Sequence, residues 1–217
     1  MKHLCLAAAA MTLATTAACG FDPAGVAPPL STRLAQRAHL PVIAGSDLSA
    51  TAIAGPRQLA VGPVIEHGEV VVRTTADGFL LVEDLTLALG DVAVPPGFID
   101  ERGFTATELV LHLGTQVAIS LPADHPTRAR LAGSGRGDLI LEWAARDADG
   151  RTWPLGPRRA PRLQFDVAVA TGTDGALEAQ VSTWVAGPAV AVPGVVALTD
   201  LDLQVVAAEP AATLPAE

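Results

Sequence analysis

Apolar and polar residues alternate singly along much of this chain. Leu85, Leu87 and Leu89 are spaced by Thr86 and Ala88, and Leu109, Leu111 and Leu113 alternate with Glu108, Val110 and His112. Leu139, Leu141 and Trp143 share one face opposite Asp138 and Glu142. Leu163, Phe165, Val167 and Val169 alternate with Gln164, Asp166 and Ala168; Leu177 and Val181 follow, and Leu201, Leu203 and Val205 alternate with Asp200, Asp202 and Gln204. Successive side chains of an extended strand point to opposite faces, so this period predicts strands with one buried and one solvated face. Residues 69–75 add a run of β-branched side chains, which suit a pleated surface. Asp77-Gly78, Asp149-Gly150 and Asp174-Gly175 punctuate the runs and favour tight hairpins, because both residue types tolerate positive φ. The alternation resumes at Val117 and Ile119 after Gly114-Thr115, which predicts another hairpin there. Residues 32–39 have room for a helical turn or two, but no later window carries a helical stripe. The predicted fold is all-β: an antiparallel β-sandwich, immunoglobulin-like or similar, built as a single domain after a flexible N-terminal tether.

The first 20 residues follow a different pattern. Lys2 gives a short positively charged start, residues 4–13 are apolar but too short to span a bilayer, and Thr16-Ala17-Ala18-Cys19-Gly20 places small residues before a cysteine. This segment resembles the lipobox-type signal peptide of bacterial lipoproteins, with Thr16 standing where that family usually has Leu. The resemblance implies that the Cys19 thiol takes a diacylglycerol, that the leader is cut just before it, and that the new amine is acylated. The family usually marks inner-membrane residents with Asp after the cysteine, so Gly20 implies the outer membrane of a diderm bacterium. The alternative is an ordinary secretory leader cut after Ala18, with Cys19 incidental. Residues 20–55 are rich in Ala, Pro, Ser and Thr without a sustained period and read as a tether, ending at most in a first strand. The expected layout is a signal peptide over 1–18, a lipidated cysteine and tether over 19–55, a β-sandwich over 56–207 and a flexible tail over 208–217.

Composition narrows the chemistry. Both Cys, both Met and the only Lys lie in the first 19 residues, Asn is absent, and all 13 later basic residues are Arg. A mature chain starting at Cys19 therefore has no internal disulfide, no Cys-based metal site, no Schiff-base lysine and no N-glycosylation sequon. Half of the 217 residues are apolar, enough for a self-sufficient core. The net charge of −9 argues against nucleic acid as a partner.

No catalytic constellation emerges. His39, His67, His112 and His125 include no His-x-His pair; Glu66 and Glu69 flank His67, but one short cluster lacks the donor count a metal needs. Aligning Asp149-Gly150 with a calcium loop puts Ala145 and Gly156 where carboxylates are required, so a hairpin between Trp143 and Trp153 is the better account. Gly133-Ser134-Gly135-Arg136-Gly137 lacks the Lys-Ser/Thr of a phosphate loop. No Gly-x-Ser-x-Gly occurs, and the adjacent carboxylates Glu83-Asp84 and Asp100-Glu101 face opposite ways on a strand. No cofactor motif is present. Trp143 belongs with the core by its strand neighbours, and Trp153, beside Pro154, is more open.

Charge is distributed unevenly. Residues 128–162 hold eight Arg and four acids, whereas the rest of the chain after Cys19 holds five Arg and 19 acids. The densest part, 157–162, is bounded by prolines and predicts an exposed loop carrying Arg158, Arg159 and Arg162. Such forked guanidinium groups suit anionic lipid headgroups or envelope polymers; the competing reading is that they pair with the protein's own acids. Together these observations lead to the expectation of a lipid-anchored cell-envelope protein presenting a β-sandwich for binding or structural support, without catalysis. The alternatives are an envelope hydrolase acting on glycans or peptides and a periplasmic small-ligand or metal carrier, since sandwich folds host all three.

Overall fold

The structure, a computed structural model, describes residues 30–99, 101–120, 130–192 and 196–210. Cys19, the leader and His125 lie outside these residues. Helix α1 (Leu30–Arg33) precedes β1 (Ala38–Pro41), β2 (Asp47–Ala54), β3 (Arg57–Val61), β4 (Ile65–Thr74), β5 (Leu80–Leu89), β6 (Val92–Val94) and β7 (Phe104–Leu113). β8 (Val117–Ile119), β9 (Arg130–Arg146), β10 (Thr152–Pro154), β11 (Arg158–Thr171), β12 (Leu177–Val192) and β13 (Val196–Ala208) follow. The fold is all-β and antiparallel, as the period predicts.

The strands form one sheet in the order β1-β4-β5-β7-β9-β11-β12-β13-β2-β3, with β6, β8 and β10 attached at its side. The sheet curls until its first strand meets β13 again: Val42 bridges to Ala207, and the Ile43 N–H donates to the Val206 carbonyl at 2.9 Å. The layers of the sandwich are thus two halves of one curled sheet. Between them lie the side chains that the alternation points inward, including Leu85, Leu87, Leu139, Phe165, Val169, Leu203 and Val205. The three Asp-Gly steps turn as expected, with Gly78, Gly150 and Gly175 all at positive φ. The β4–β5 turn is closed by Thr75 N–H to the Phe79 carbonyl at 2.8 Å, and the β11–β12 turn by Gly172 N–H to the Ala176 carbonyl at 2.8 Å.

Three expectations need correction. First, there is no hairpin at Gly114-Thr115. The Gly114 N–H is taken by the Asp138 carbonyl at 2.8 Å, so β8 continues β7 and pairs with the same neighbour, β5. Second, residues 38–54, assigned to the tether, supply β1 and β2, so the domain begins near Leu30 rather than at 56. Leu40 and Leu48 anchor these two strands, and the Ser46 hydroxyl accepts from Val206 N–H at 2.9 Å between them. Third, residues 157–162 are no exposed loop: Arg158 opens β11, opposite Leu141 of β9, and Ala160 is buried. Trp184 is 65% exposed on the outer face of β12, and Trp153, beside Pro154, is 39% exposed.

The glycine run in β9 has a steric role. Gly133, Gly135 and Gly137 lie at alternate positions on one face, and β8 lies directly on that face. A Cβ at Gly133 would stand 2.3 Å from the Ser120 carbonyl oxygen, and one at Gly135 would stand 2.4 Å from that of Ala118. Only glycine leaves room for backbone at that distance.

Candidate functional site

Three strands change phase near one end of the sheet. Glu108, Arg162 and Asp200 have φ of 54°, 60° and 53°. Each sits at a register shift: Thr107/Val110 between β7 and β9, Ala160/Leu163 between β9 and β11, and Thr199/Asp202 between β13 and β2. A bulge inserts an extra residue and resets which face the following side chains take. Residues three apart, which a regular strand would place on opposite faces, here point the same way. Ala106 and Leu109, and likewise Leu198 and Leu201, line one cavity of about 120 Å³.

The floor of this cavity comes from the in-phase run Leu139, Leu141 and Trp143 of β9 and from Leu109 and Leu111 of β7. Its cover is the β2–β3 hairpin, with Ala52 and Leu59, and the segment after β6, with Phe98. Arg57 ties these two covers together by donating to the Phe98 carbonyl at 3.3 Å. Phe104 leans on Trp143 with ring centroids 6.3 Å apart and planes tilted by 36°. The cavity separates the main core from the small cluster of Ala52, Ala54 and Phe98, so the covers and the core do not interlock.

Among the described residues that line the cavity, Arg158 is the only ionisable one. It pairs directly with Leu141 across the β9–β11 ladder, and opposed residues on antiparallel strands share a face. Trp143, two residues from Leu141, is therefore its diagonal neighbour on that face. The Arg158 Nη1 reaches back to the Pro157 carbonyl at 3.3 Å near the surface. Its Nε and the Trp143 Nε1 are buried, and neither has a hydrogen-bond partner among the described residues. A buried N–H without an acceptor is costly, and few occur in a folded protein. Both lie behind the cavity wall, whose exposed surface is apolar.

The other two arginines of the cluster point elsewhere. Asp138 accepts the Arg162 backbone N–H at 2.7 Å and also the Arg159 guanidinium. These bonds, the backbone one foremost, hold the Asp138 carboxyl below its ordinary value of 3.8. The pairing favours an internal role for the Arg159 guanidinium, whereas Arg162 meets Asp138 through its backbone N–H. A second ion cluster joins Glu83 to Arg37 and Arg73, at a bulge where Val71 and Val72 face Asp84 and Val82 and leave Glu83 over.

The histidines stay near the surface. His39 contacts Glu69 at 3.1 Å and His112 contacts Glu142 at 3.3 Å, while His67 is exposed. Among the described residues, no three metal-ligating side chains converge, and no helix is long and apolar enough to cross a membrane.

The alternation in the sequence marks Leu109, Leu111, Leu139, Leu141 and Leu201 as inward-facing, but not the cavity they line. The available signal was the spacing of three between Ala106 and Leu109 and between Leu198 and Leu201, which breaks the period where the cavity forms. Comparison of the chain with protein-family models, with curated proteins and with solved structures finds no match.

Proposed function

We propose that this chain is a lipid-anchored cell-envelope protein, carried on the outer membrane by Cys19, whose β-domain is a non-catalytic binding module for a small apolar ligand. The apolar cavity between the two core clusters carries this reading. Its lining offers neither a carboxylate nor a histidine for acid–base or nucleophilic work, but it offers a dry surface for hydrocarbon. A dry cavity of roughly 150 Å³ lined by similar side chains takes up benzene, so a ring or a short alkyl segment suits this one. Anchorage follows from the leader. Eleven residues lead from Cys19 to Leu30 and reach about 40 Å at full extension, which keeps the domain close to the bilayer.

Two measurements test the two halves of the proposal. Cells fed a labelled fatty acid should label the wild-type protein and not Cys19→Ser; equal labelling of both would refute the anchor. In the full chain carrying Trp153→Phe and Trp184→Phe, Trp143 is the sole indole, and octan-1-ol should change its fluorescence saturably. A response that only rises linearly with octanol would refute the binding module.

A further inference from the structure

We infer that the outer face of β9, β11 and β12 binds a neutral glycan, a flat chain of β-linked hexose rings with one ring stacked on Trp184. The site lies on the solvent side of the sheet. It rests on neither the lipid anchor nor the apolar ligand proposed above.

Trp184 is 65% exposed in the middle of β12, not at a turn. Its preceding neighbours on the same face, Ser182 and Gln180, are polar. The register extends that polar surface sideways. Ser182 stands opposite Asp166 of β11, Asp166 stands opposite Ser134 of β9, and Trp184 itself stands opposite Asp202 of β13. Opposed residues on antiparallel strands share a face. Next to the indole, Ser134, Asp166, Gln180 and Ser182 line a shallow depression of about 480 Å³. Ala132 and Ala168, opposite each other, keep its floor low. At strand rise, Trp184 to Gln180 spans about 13 Å along β12, and Ser134 to Ser182 spans about 10 Å across the strands.

A single indole set among polar side chains discriminates between partners. A protein partner's aromatic anchor works when contacts around it exclude water, and they are commonly apolar at the centre. Here Ser182 precedes the indole on its own face and Asp202 stands opposite it. A charged polymer calls for a surplus of one sign, whereas the described residues lining the depression include one acid, Asp166, and one base, Arg130. A hexose ring suits both parts of the surface. Its C–H face is apolar and covers an indole, and its rim carries hydroxyls, each able to donate and to accept. The depression offers the matching mixture: an acceptor in the Asp166 carboxylate, and groups of both kinds in Ser134, Ser182 and the Gln180 amide. A β-linked chain of hexose rings is flat and extended, as is the strand face from Trp184 to Gln180. The β9–β11–β12 ladder runs without a register shift through Ser134, Asp166 and Ser182, so binding orders little backbone.

Titration of the full chain with cellotetraose and with chitotetraose tests this. Both are neutral β-linked chains, and only the second carries acetamido groups, so the pair also shows whether those groups are read. At least one should bind. Trp184→Ala should weaken that binding at least tenfold, the scale on which an aromatic anchor is lost. Asp166→Ala should weaken it severalfold through lost hydrogen bonds. Trp153→Ala removes another exposed indole, outside this face, and should leave the affinity unchanged. Maltotetraose, with the same glucose rings in a curved α-linked chain, should bind more weakly than cellotetraose. Trp184 and Asp166 are both exposed, so their variants leave the core intact. Failure of both β-linked tetrasaccharides to bind the unmodified chain would overturn the inference. So would equal affinities in Trp184→Ala and the unmodified chain, equal losses in Trp184→Ala and Trp153→Ala, or maltotetraose binding as tightly as its β-linked counterpart. The octan-1-ol response of Trp143 is read in a separate experiment, so failure here leaves the cavity reading standing.

Discussion

The two ends of the curled sheet are built differently. At the end that the tether reaches, Leu30 and Leu34 of the α1 segment are wholly buried in the main core. Polar groups there find partners. Arg33 bonds Glu209 at 2.5 Å and the Gly175 carbonyl at 2.6 Å, Glu209 accepts from Leu177 N–H at 2.9 Å, and Thr74 N–H donates to the Leu34 carbonyl at 2.7 Å. The opposite end holds the cavity, the three bulges and the unpartnered nitrogens of Arg158 and Trp143. Along β13, about eight residues lie between Leu201 on the cavity and Glu209 beside Arg33, a separation of roughly 26 Å at strand rise. Packing and paired polar groups are concentrated at the tethered pole and the cavity at the far one. A pocket can be kept at one pole only because the other is packed to completion.

The sharpest way to break this comparison is to truncate one leucine at each pole. Leu177 is fully buried at the tethered pole, so Leu177→Ala should cost about 2–5 kcal/mol, the lost transfer energy plus a new cavity. Leu141 is only partly buried and already borders a void, so Leu141→Ala should cost less than half as much. Urea unfolding of the two variants reads the difference directly. Equal losses would mean that the poles are packed alike.

Enlarging a side chain should separate the poles by sign. Ala207 is fully buried among Leu177-end neighbours, so Ala207→Leu overpacks and should destabilise by about 1–3 kcal/mol. Ala160 borders the cavity, and Ala160→Leu fills it, which should leave stability unchanged or raise it by about 0.5–1 kcal/mol. The same variant should abolish the octanol response of Trp143. Destabilisation by Ala160→Leu comparable to that by Ala207→Leu would show that the void is too small to accept a side chain, and hence a ligand tail.

How far the sequence reveals these poles depends on how regular each strand is. Where the alternation is unbroken, as in Leu85–Leu87–Leu89 and Leu201–Leu203–Val205, the buried face could be named residue by residue, and the Asp-Gly turns were equally plain. Regularity fails at Glu108, Arg162 and Asp200, and nothing in the identity of these residues announces positive φ. Asp is tolerant of that region, but Arg and Glu have no special preference for it. The cavity was invisible for a related reason: it is a space between side chains that are individually ordinary core residues. β1 and β2 are hidden in an Ala-, Pro-, Ser- and Thr-rich stretch: β1 is short with Leu40 as its one buried residue, and β2 buries only Leu48 and two alanines. Gly114-Thr115 looked like a hairpin turn because only the structure shows that Asp138 takes its N–H.

The smallest expected effect concerns acid. Arg73 and Arg37 hold the Glu83 carboxyl below its ordinary value of 4.5, the Arg73 hydrogen bond being the largest cause, and the Glu83 side chain is only 6% exposed beneath them. A carboxylate with a lowered folded-state pKa binds protons more readily in the unfolded chain. Its stabilisation is therefore complete above pH 4.5 and is lost as the pH falls through the lower, folded-state value. Asp138 behaves the same way from 3.8 downward, but its main donor is the Arg162 backbone N–H, which no side-chain substitution at 162 removes. The two carboxylates should therefore separate by variant. Glu83→Gln should flatten the decline in thermal stability as the pH falls below 4.5, because the group whose protonation drives it is gone. Arg162→Ala should leave the part of the decline due to Asp138 nearly intact, since the backbone donor persists. Melting temperatures between pH 5 and pH 3 would measure both. A decline of unchanged steepness in Glu83→Gln would show that the Arg37–Glu83–Arg73 cluster contributes nothing to the acid limb.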